Sequence, residues 1–162
     1  NVDLKAFRDE TYRDYVGGRL QPVLDSLKTM KTLGVWVEVT TLVVPDVNDG
    51  EEELRDAARF VAQELGPETP WHISRFYPGY KMTDRPPTPI DTLRRAEEIG
   101  REEGLRYIYV GNVPGEANTD CHNCGALLIR RAGYRIVGNR IAEGQVCPDC
   151  GTEVAGVGMA GE

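Results

Sequence analysis

All four cysteines of the chain sit in two short knuckles near its C-terminal end, Cys121-His122-Asn123-Cys124-Gly125 and Cys147-Pro148-Asp149-Cys150-Gly151. No other feature limits the fold as tightly. Each knuckle is C-x2-C, residues 125–146 separate the two, and this is the spacing of a zinc ribbon. A C-x2-C turn offers two thiolates to one ion, and the following Gly can take the backbone conformation that turns amide N–H groups toward sulfur. Two such turns close a four-thiolate site at Cys121, Cys124, Cys147 and Cys150. Two disulfides or four free thiols are the other use of such cysteines. A catalytic zinc is disfavoured, because four thiolates leave no position for water.

With 162 residues, the chain has room for one ordinary domain ahead of a metal-stapled tail. The division read from the sequence is a body over 1–117, a metal-binding tail over 118–154 and a flexible Gly-rich end over 155–162. Hydrophobic residues at 40% and charged residues at 28% suit a soluble globular protein. No apolar run approaches the roughly 20 residues of a membrane span. A net charge of −7 argues against non-specific nucleic-acid binding, which needs clustered Lys and Arg. Cysteines in metal spacing, with no signal peptide ahead of them, point to a reducing cytoplasm. The chain opens on Asn1 and a strand-like segment, and its first methionine is Met30. It therefore reads as lacking an N-terminal part.

The body alternates strands and helices. Val2 to Phe7 reads as a strand. Leu20, Val23, Leu24, Leu27, Met30 and Leu33 form a helical stripe that stops at Gly34. Val35 to Val44 is nearly continuously apolar and β-branched, the pattern of a strand buried in a parallel sheet. Asp49 and Glu52 suggest a capping box for a helix reaching Gly66. Trp71 to Tyr77 reads as a strand, Thr88 as the cap of a helix with Pro89 at its first position, and Arg106 to Val110 as the last strand. This order predicts right-handed βαβ crossovers and a parallel sheet. Residues Val113 to Thr119 read as a linker, with a hairpin of Leu127–Arg131 and Tyr134–Val137 around Gly133 inside the tail.

In such folds ligands bind at the C-terminal ends of the strands. Asp3 and Lys5 share one face of the first strand. Glu38 and Thr40 share a face of the second with Trp36 and Leu42, and His72 shares one of the third with Ser74 and Phe76. Polar groups inside buried strands are either internal salt links or the lining of a site. Asp3, Lys5, Glu38, Thr40 and His72 are the candidates for binding a cofactor, although a lone His72 also suits a structural role.

Several runs are more specific. Asp3-Leu4-Lys5-Ala6-Phe7, Tyr15-Val16-Gly17-Gly18, Gly34-Val35-Trp36-Val37-Glu38, Val44-Pro45-Asp46-Val47-Asn48-Asp49, Trp71-His72-Ile73-Ser74-Arg75-Phe76-Tyr77-Pro78 and Tyr109-Val110-Gly111-Asn112-Val113-Pro114-Gly115 come in order ahead of the cysteine tail. Together they resemble the AmmeMemoRadiSam-system radical SAM enzymes, relatives of the pyruvate formate-lyase activating enzymes. The resemblance implies an α/β fold, the later β/α units of a partial TIM barrel, followed by a zinc-ribbon or rubredoxin-like tail. It also implies a parent oxidoreductase that uses a 4Fe–4S cluster to cleave S-adenosylmethionine to a 5'-deoxyadenosyl radical. A substrate protein and the absent N-terminal barrel half are the partners it implies. On the D-L-K strand it assigns the S-adenosylmethionine pocket and a neighbouring cation site to Asp3 and Lys5.

The chain departs from that family in definite places. It has no C-x3-C-x2-C, the cluster-binding motif, and no Gly-Gly-Glu run. No Arg lies within 35–44, and Phe76-Tyr77-Pro78 stands where the activating enzymes carry Pro-Tyr-His. The tail cysteines do not replace the missing cluster ligands, because a cluster that cleaves S-adenosylmethionine needs three thiolates and one free iron site. For the tail ion, zinc competes with mononuclear iron, since Cys-Pro-x-Cys-Gly is also a rubredoxin signature. The short separation and scarce aromatic residues favour zinc. A zinc-stapled binding module, presenting Arg130, Arg131, Arg135 and Arg140 to a protein partner, and a rubredoxin-like electron-transfer domain are the alternative functions.

Overall fold

The structure, a computed structural model, describes residues 1–115, 117–133 and 135–160. Glu116 of the expected linker, Tyr134 of the expected hairpin and the last two residues of the Gly-rich end lie outside the described residues. The chain divides into two compact units, Asn1–Val113 and Pro114–Glu162.

The first unit is a four-stranded parallel sheet in the order β1 (Val2–Asp3), β2 (Val39–Val43), β3 (Trp71–Arg75), β4 (Ile108–Gly111). The helices between the strands are α1 (Asp9–Thr11) with a π-helical turn Tyr12–Val16, α2 (Leu20–Thr32), α3 (Glu51–Phe60) with a π-helical turn Val61–Leu65, and α4 (Ile90–Glu102). Period-2 alternation gives the sheet two unlike faces. Leu4, Val39, Val43, Trp71 and Ile73 are buried against Leu24 and Leu27 of α2, Leu54 and Ala57 of α3, and Leu93, Ala96 and Ile99 of α4. Inside this core the Trp71 Nε1–H donates to the buried Thr41 hydroxyl at 3.0 Å. A Cβ on Gly100 of α4 would stand 2.7 Å from Ile108 Cδ1 and 3.1 Å from the Trp71 ring, so the missing side chain is what lets α4 lie this close to β3 and β4.

The strands are shorter than their apolar runs. β1 ends at Asp3 rather than Phe7, and β2 begins at Val39 rather than Val35, with Val35 exposed on the approach. Pairing decides this, because a β-rich segment counts as strand only where a neighbour takes up its backbone groups. Both expected side-chain caps are also corrected. The N-cap of α3 is Gly50 with no side-chain cap, and the Asp49 carboxylate instead accepts the Asp46 amide at 3.0 Å. The N-cap of α4 is Pro89. Thr88 lies buried one residue earlier, where its hydroxyl donates to the Val43 carbonyl at 2.6 Å and accepts the Phe76 amide at 2.9 Å. It ties the ends of β2 and β3 together instead of capping a helix.

In the second unit, β5 (Thr119–Asp120), β6 (Leu127–Ala132) and β7 (Arg135–Asn139) form an antiparallel sheet in that order. β6 and β7 are the expected hairpin, turning at Gly133 with φ 59°. β5 is an addition: Thr119, read as the end of a linker, is buried and pairs with Ile129. A small core of Leu128, Ile129, Ile141 and Val154 packs with the buried Cys121 and Cys147. No helix among the described residues is long and apolar enough to cross a membrane.

Candidate functional site

The sheet face turned away from the helices carries the polar residues. The parallel register aligns Asp3, Thr40, His72 and Tyr109 in one row across the four strands. Lys5, just past the end of β1, and Glu38, just before β2, join this face through their contacts with Asp3 and His72. The structure thus places all five cofactor-binding candidates on one side of the sheet. They do not form one cluster. Lys5 Nζ pairs with Asp3 Oδ2 at 2.8 Å, while Glu38 Oε2 pairs with His72 Nε2 at 2.8 Å. The Thr40 hydroxyl donates to Asn1 Oδ1 at 2.9 Å. Glu38 Oε1 accepts the Trp36 indole N–H at 3.3 Å, and the His72 and Tyr109 rings stack with centroids 5.2 Å apart. All of these side chains are half-exposed, so each charge keeps partial hydration beside its partner.

Two residues that hold this face in place escaped sequence reasoning. Asn48 is buried after β2, and its amide group donates to the carbonyls of Lys5 at 2.7 Å and Leu42 at 2.9 Å, while its carbonyl accepts the Val44 amide at 2.6 Å. It fixes the chain carrying Lys5 against the end of β2. Tyr12, in the π-helical turn, accepts the Lys5 amide on its phenolic oxygen at 3.1 Å. Burial pushes the Tyr12 phenol pKa up, which keeps it protonated. The only sequence signal for either was that Asn48 lay in one of the family-like runs.

At the strand ends, the loop after β3 folds over the loop after β2. Arg85 donates to the Pro45 carbonyl at 3.0 Å and lies 3.4 Å from the Asp46 carboxylate. Tyr77 takes a hydrogen bond from Arg75 at 3.0 Å and donates to the Asn112 carbonyl at 3.2 Å.

In the second unit the two knuckles have the same backbone. Gly125 N–H donates to the Cys121 carbonyl at 2.8 Å and Gly151 N–H to the Cys147 carbonyl at 2.9 Å, with φ 74° and 72° at the two glycines. Cys121 N–H returns to the Ala126 carbonyl and Cys147 N–H to that of Thr152, both at 2.8 Å. The four sulfurs lie within 4.8 Å of one another, with Cys121–Cys150 and Cys124–Cys147 each 3.7 Å apart. None of the four is joined in a disulfide, whose S–S bond spans about 2.05 Å. Four sulfurs set about 2.3 Å from one ion at tetrahedral corners stand about 3.8 Å apart. The arrangement fits a single metal ion.

The thiol chemistry agrees. Thr152, through its hydroxyl and its amide, holds Cys150 down to about 6. Cys124 receives the Ala126 amide, which lowers its pKa, but the other three thiols and burial outweigh that and push it up to about 12. A divalent cation at the centre of the four sulfurs would hold the thiolates in their charged form. Two of the four hairpin arginines also serve the ribbon itself. Arg131 donates to the Ala117 carbonyl and the Thr119 hydroxyl, both at 2.8 Å, and Arg140 pairs with Asp149 at 2.9 Å.

No family model matches the chain. Over 157 residues it is 48% identical to the uncharacterized protein MJ0808 of Methanocaldococcus jannaschii, a match covering 95% of this chain and 47% of that protein. The chain thus spans about half the length of the curated relative it matches. Among solved structures it is similar to a domain of a pyruvate-formate lyase-activating enzyme from Bacteroides vulgatus, with TM-score 0.56, 16% identity, and 68% of this chain and 65% of that one covered. A radical SAM methyltransferase from Sphaerobacter thermophilus superposes with TM-score 0.48 and 21% identity over 78% of this chain and 36% of that one. The activating-enzyme likeness shows the fold: an α/β body with a parallel four-stranded sheet, here accompanied by a four-cysteine group near the C-terminus.

Proposed function

We propose that this chain is the C-terminal portion of a radical SAM enzyme resembling the glycyl-radical activating enzymes. The observation that carries the reading is the register row Asp3, Thr40, His72 and Tyr109, with Lys5 and Glu38 beside it. A sheet whose second face is polar needs something other than a helix layer to cover it, and a polar ligand meets that need. The activating-enzyme likeness of the fold and the D-L-K run add support. Bound S-adenosylmethionine, with a 4Fe–4S cluster held by residues outside this chain, would supply a 5'-deoxyadenosyl radical. The residues here would bind and orient. The Lys5 ammonium suits the ligand's carboxylate, Asp3 suits a cation beside it, and Glu38, Thr40 and His72 line the rest of the face. Asn48 and Tyr12 hold the backbone of Lys5 from behind.

The four-cysteine centre would hold zinc in a structural role, since closed thiolate coordination offers no place for substrate or water. One zinc per chain in a colourless preparation is the expected analysis, whereas a red protein with thiolate-to-iron absorption would replace zinc by iron.

The activity is tested on the full product of the gene, reconstituted anaerobically with iron and sulfide and given S-adenosylmethionine and dithionite. Formation of 5'-deoxyadenosine is expected. Lys5→Ala should reduce it by about tenfold or more, the scale of one lost charge-assisted contact. No 5'-deoxyadenosine from a protein carrying its cluster would sink the reading.

A further inference from the structure

Glu38 is a carboxylate that pairs with an indole N–H and with an imidazole. Trp36 Nε1–H reaches Oε1 at 3.3 Å, and His72 Nε2 lies 2.8 Å from Oε2. Among the described residues no Lys or Arg pairs with it, whereas Asp3 on the same face is matched by Lys5. A carboxylate accepts only, so the proton in the 2.8 Å contact sits on His72 Nε2. In the neutral ring this leaves Nδ1 as an acceptor. The Tyr109 ring stacked on the imidazole limits how far it can turn. Fixed tautomer, fixed ring and an uncompensated negative charge behind it describe a hydrogen-bond acceptor suited to a cationic donor.

We infer that Glu38 and His72 form a binding site for the protonated amine of a small substrate, with His72 Nδ1 receiving the N–H and Glu38 acting as the positioning residue. The inference rests on the polar sheet face being the ligand-binding face, and it separates this end of the face from the Asp3–Lys5 end. Adjacent parallel strands lie about 4.8 Å apart, so Asp3 and His72, two strands apart in register, are roughly 10 Å from each other. That leaves room for a cofactor group and a substrate group side by side. An alkylammonium keeps its proton beside an imidazole, because its ordinary pKa is about 10 against about 6.5 for His, so the contact binds and transfers nothing.

The test is nitrogen NMR of the 15N-labelled, metal-loaded chain, in which His72 is assigned by His72→Gln. A non-protonated Nδ1 and a protonated Nε2 are expected. Adding n-butylamine should shift the Nδ1 signal, and sodium acetate should not. Glu38→Gln, an isosteric change, should weaken the butylamine response by about tenfold while the backbone spectrum stays that of the parent. A proton on Nδ1, no response to butylamine, or a response unchanged in Glu38→Gln would overturn the inference. A shift produced by S-adenosylmethionine and not by butylamine would overturn it too, by assigning the dyad to the cofactor. These readouts need no 5'-deoxyadenosine formation, so they fail or succeed apart from the activity assay.

Discussion

Asn48 concentrates more of the fold in one side chain than any charged residue on the polar face. Three backbone groups, on the segment carrying Lys5, at the end of β2 and just beyond it, depend on its amide. Asn48→Leu keeps the bulk and removes every hydrogen bond, leaving an amide and two carbonyls unpaired in the interior. A loss of about 3 kcal/mol in denaturant unfolding is expected. Tyr12→Phe removes an acceptor of the Lys5 amide, for about 1 kcal/mol. Neither residue stood out from composition, because an Asn in a Pro-Asp-rich turn and a Tyr after a short helix are ordinary surface patterns. Their importance comes from partners 43 positions away for Asn48 and 7 for Tyr12. Asp3, Lys5, Glu38, Thr40 and His72 were legible as sharing strand faces, since a period of two needs no tertiary information. That Lys5 pairs with Asp3 and His72 with Glu38 was not legible, because Glu38 and His72 meet only through strand pairing across the β2–β3 crossover.

The alternating pattern gave the four strands and α2, α3 and α4 in the right order but missed α1 and the π-helical turn after it, and the glycines at 34, 66 and 104 marked where α2, the π-helical turn after α3, and α4 give way. Cap chemistry misled at Asp49 and Thr88 because the same side chains bind turn and strand backbone equally well. α2 is capped from a distance: Asp9 Oδ1 accepts the Leu20 amide at 3.1 Å, and Arg19 pairs with Asp9 at 2.9 Å. The Leu20 amide, followed by Arg19, holds the Asp9 carboxyl below its ordinary pKa. A depressed folded pKa stabilises the native state above the unfolded value, about 3.9, and that stabilisation is lost as pH falls through the folded value. The difference in urea midpoint between the parent and Asp9→Ala should therefore be full at neutral pH and shrink below about pH 4. At α4, Gly100→Val drives a branched side chain into Ile108 and Trp71 and should cost about 1–3 kcal/mol, measured by thermal or denaturant unfolding.

For the whole molecule, the two units draw stability from different sources. Asn1–Val113 is held by an apolar core that includes fully buried Leu27, Trp71, Ile73 and Leu93, whereas Pro114–Glu162 has a much smaller core gathered around two of its cysteines. A core of that size is below what a chain of about fifty residues needs without a staple. With the proposed metal in the four-cysteine site, a strong chelator should abolish amide protection over β5 to β7 and the knuckles in hydrogen exchange, while the amides of β2 and β3 remain protected. Cys147→Ser should give the same pattern without chelator. The four-cysteine centre was determined by the sequence alone, because a C-x2-C turn is a local structure and its ligand count can be read off the spacing. The polar face of the sheet was decided only by the tertiary structure. Four strands that are distant in sequence had to align in register before Asp3, Thr40, His72 and Tyr109 became one row, and no local propensity fixes which strands become neighbours.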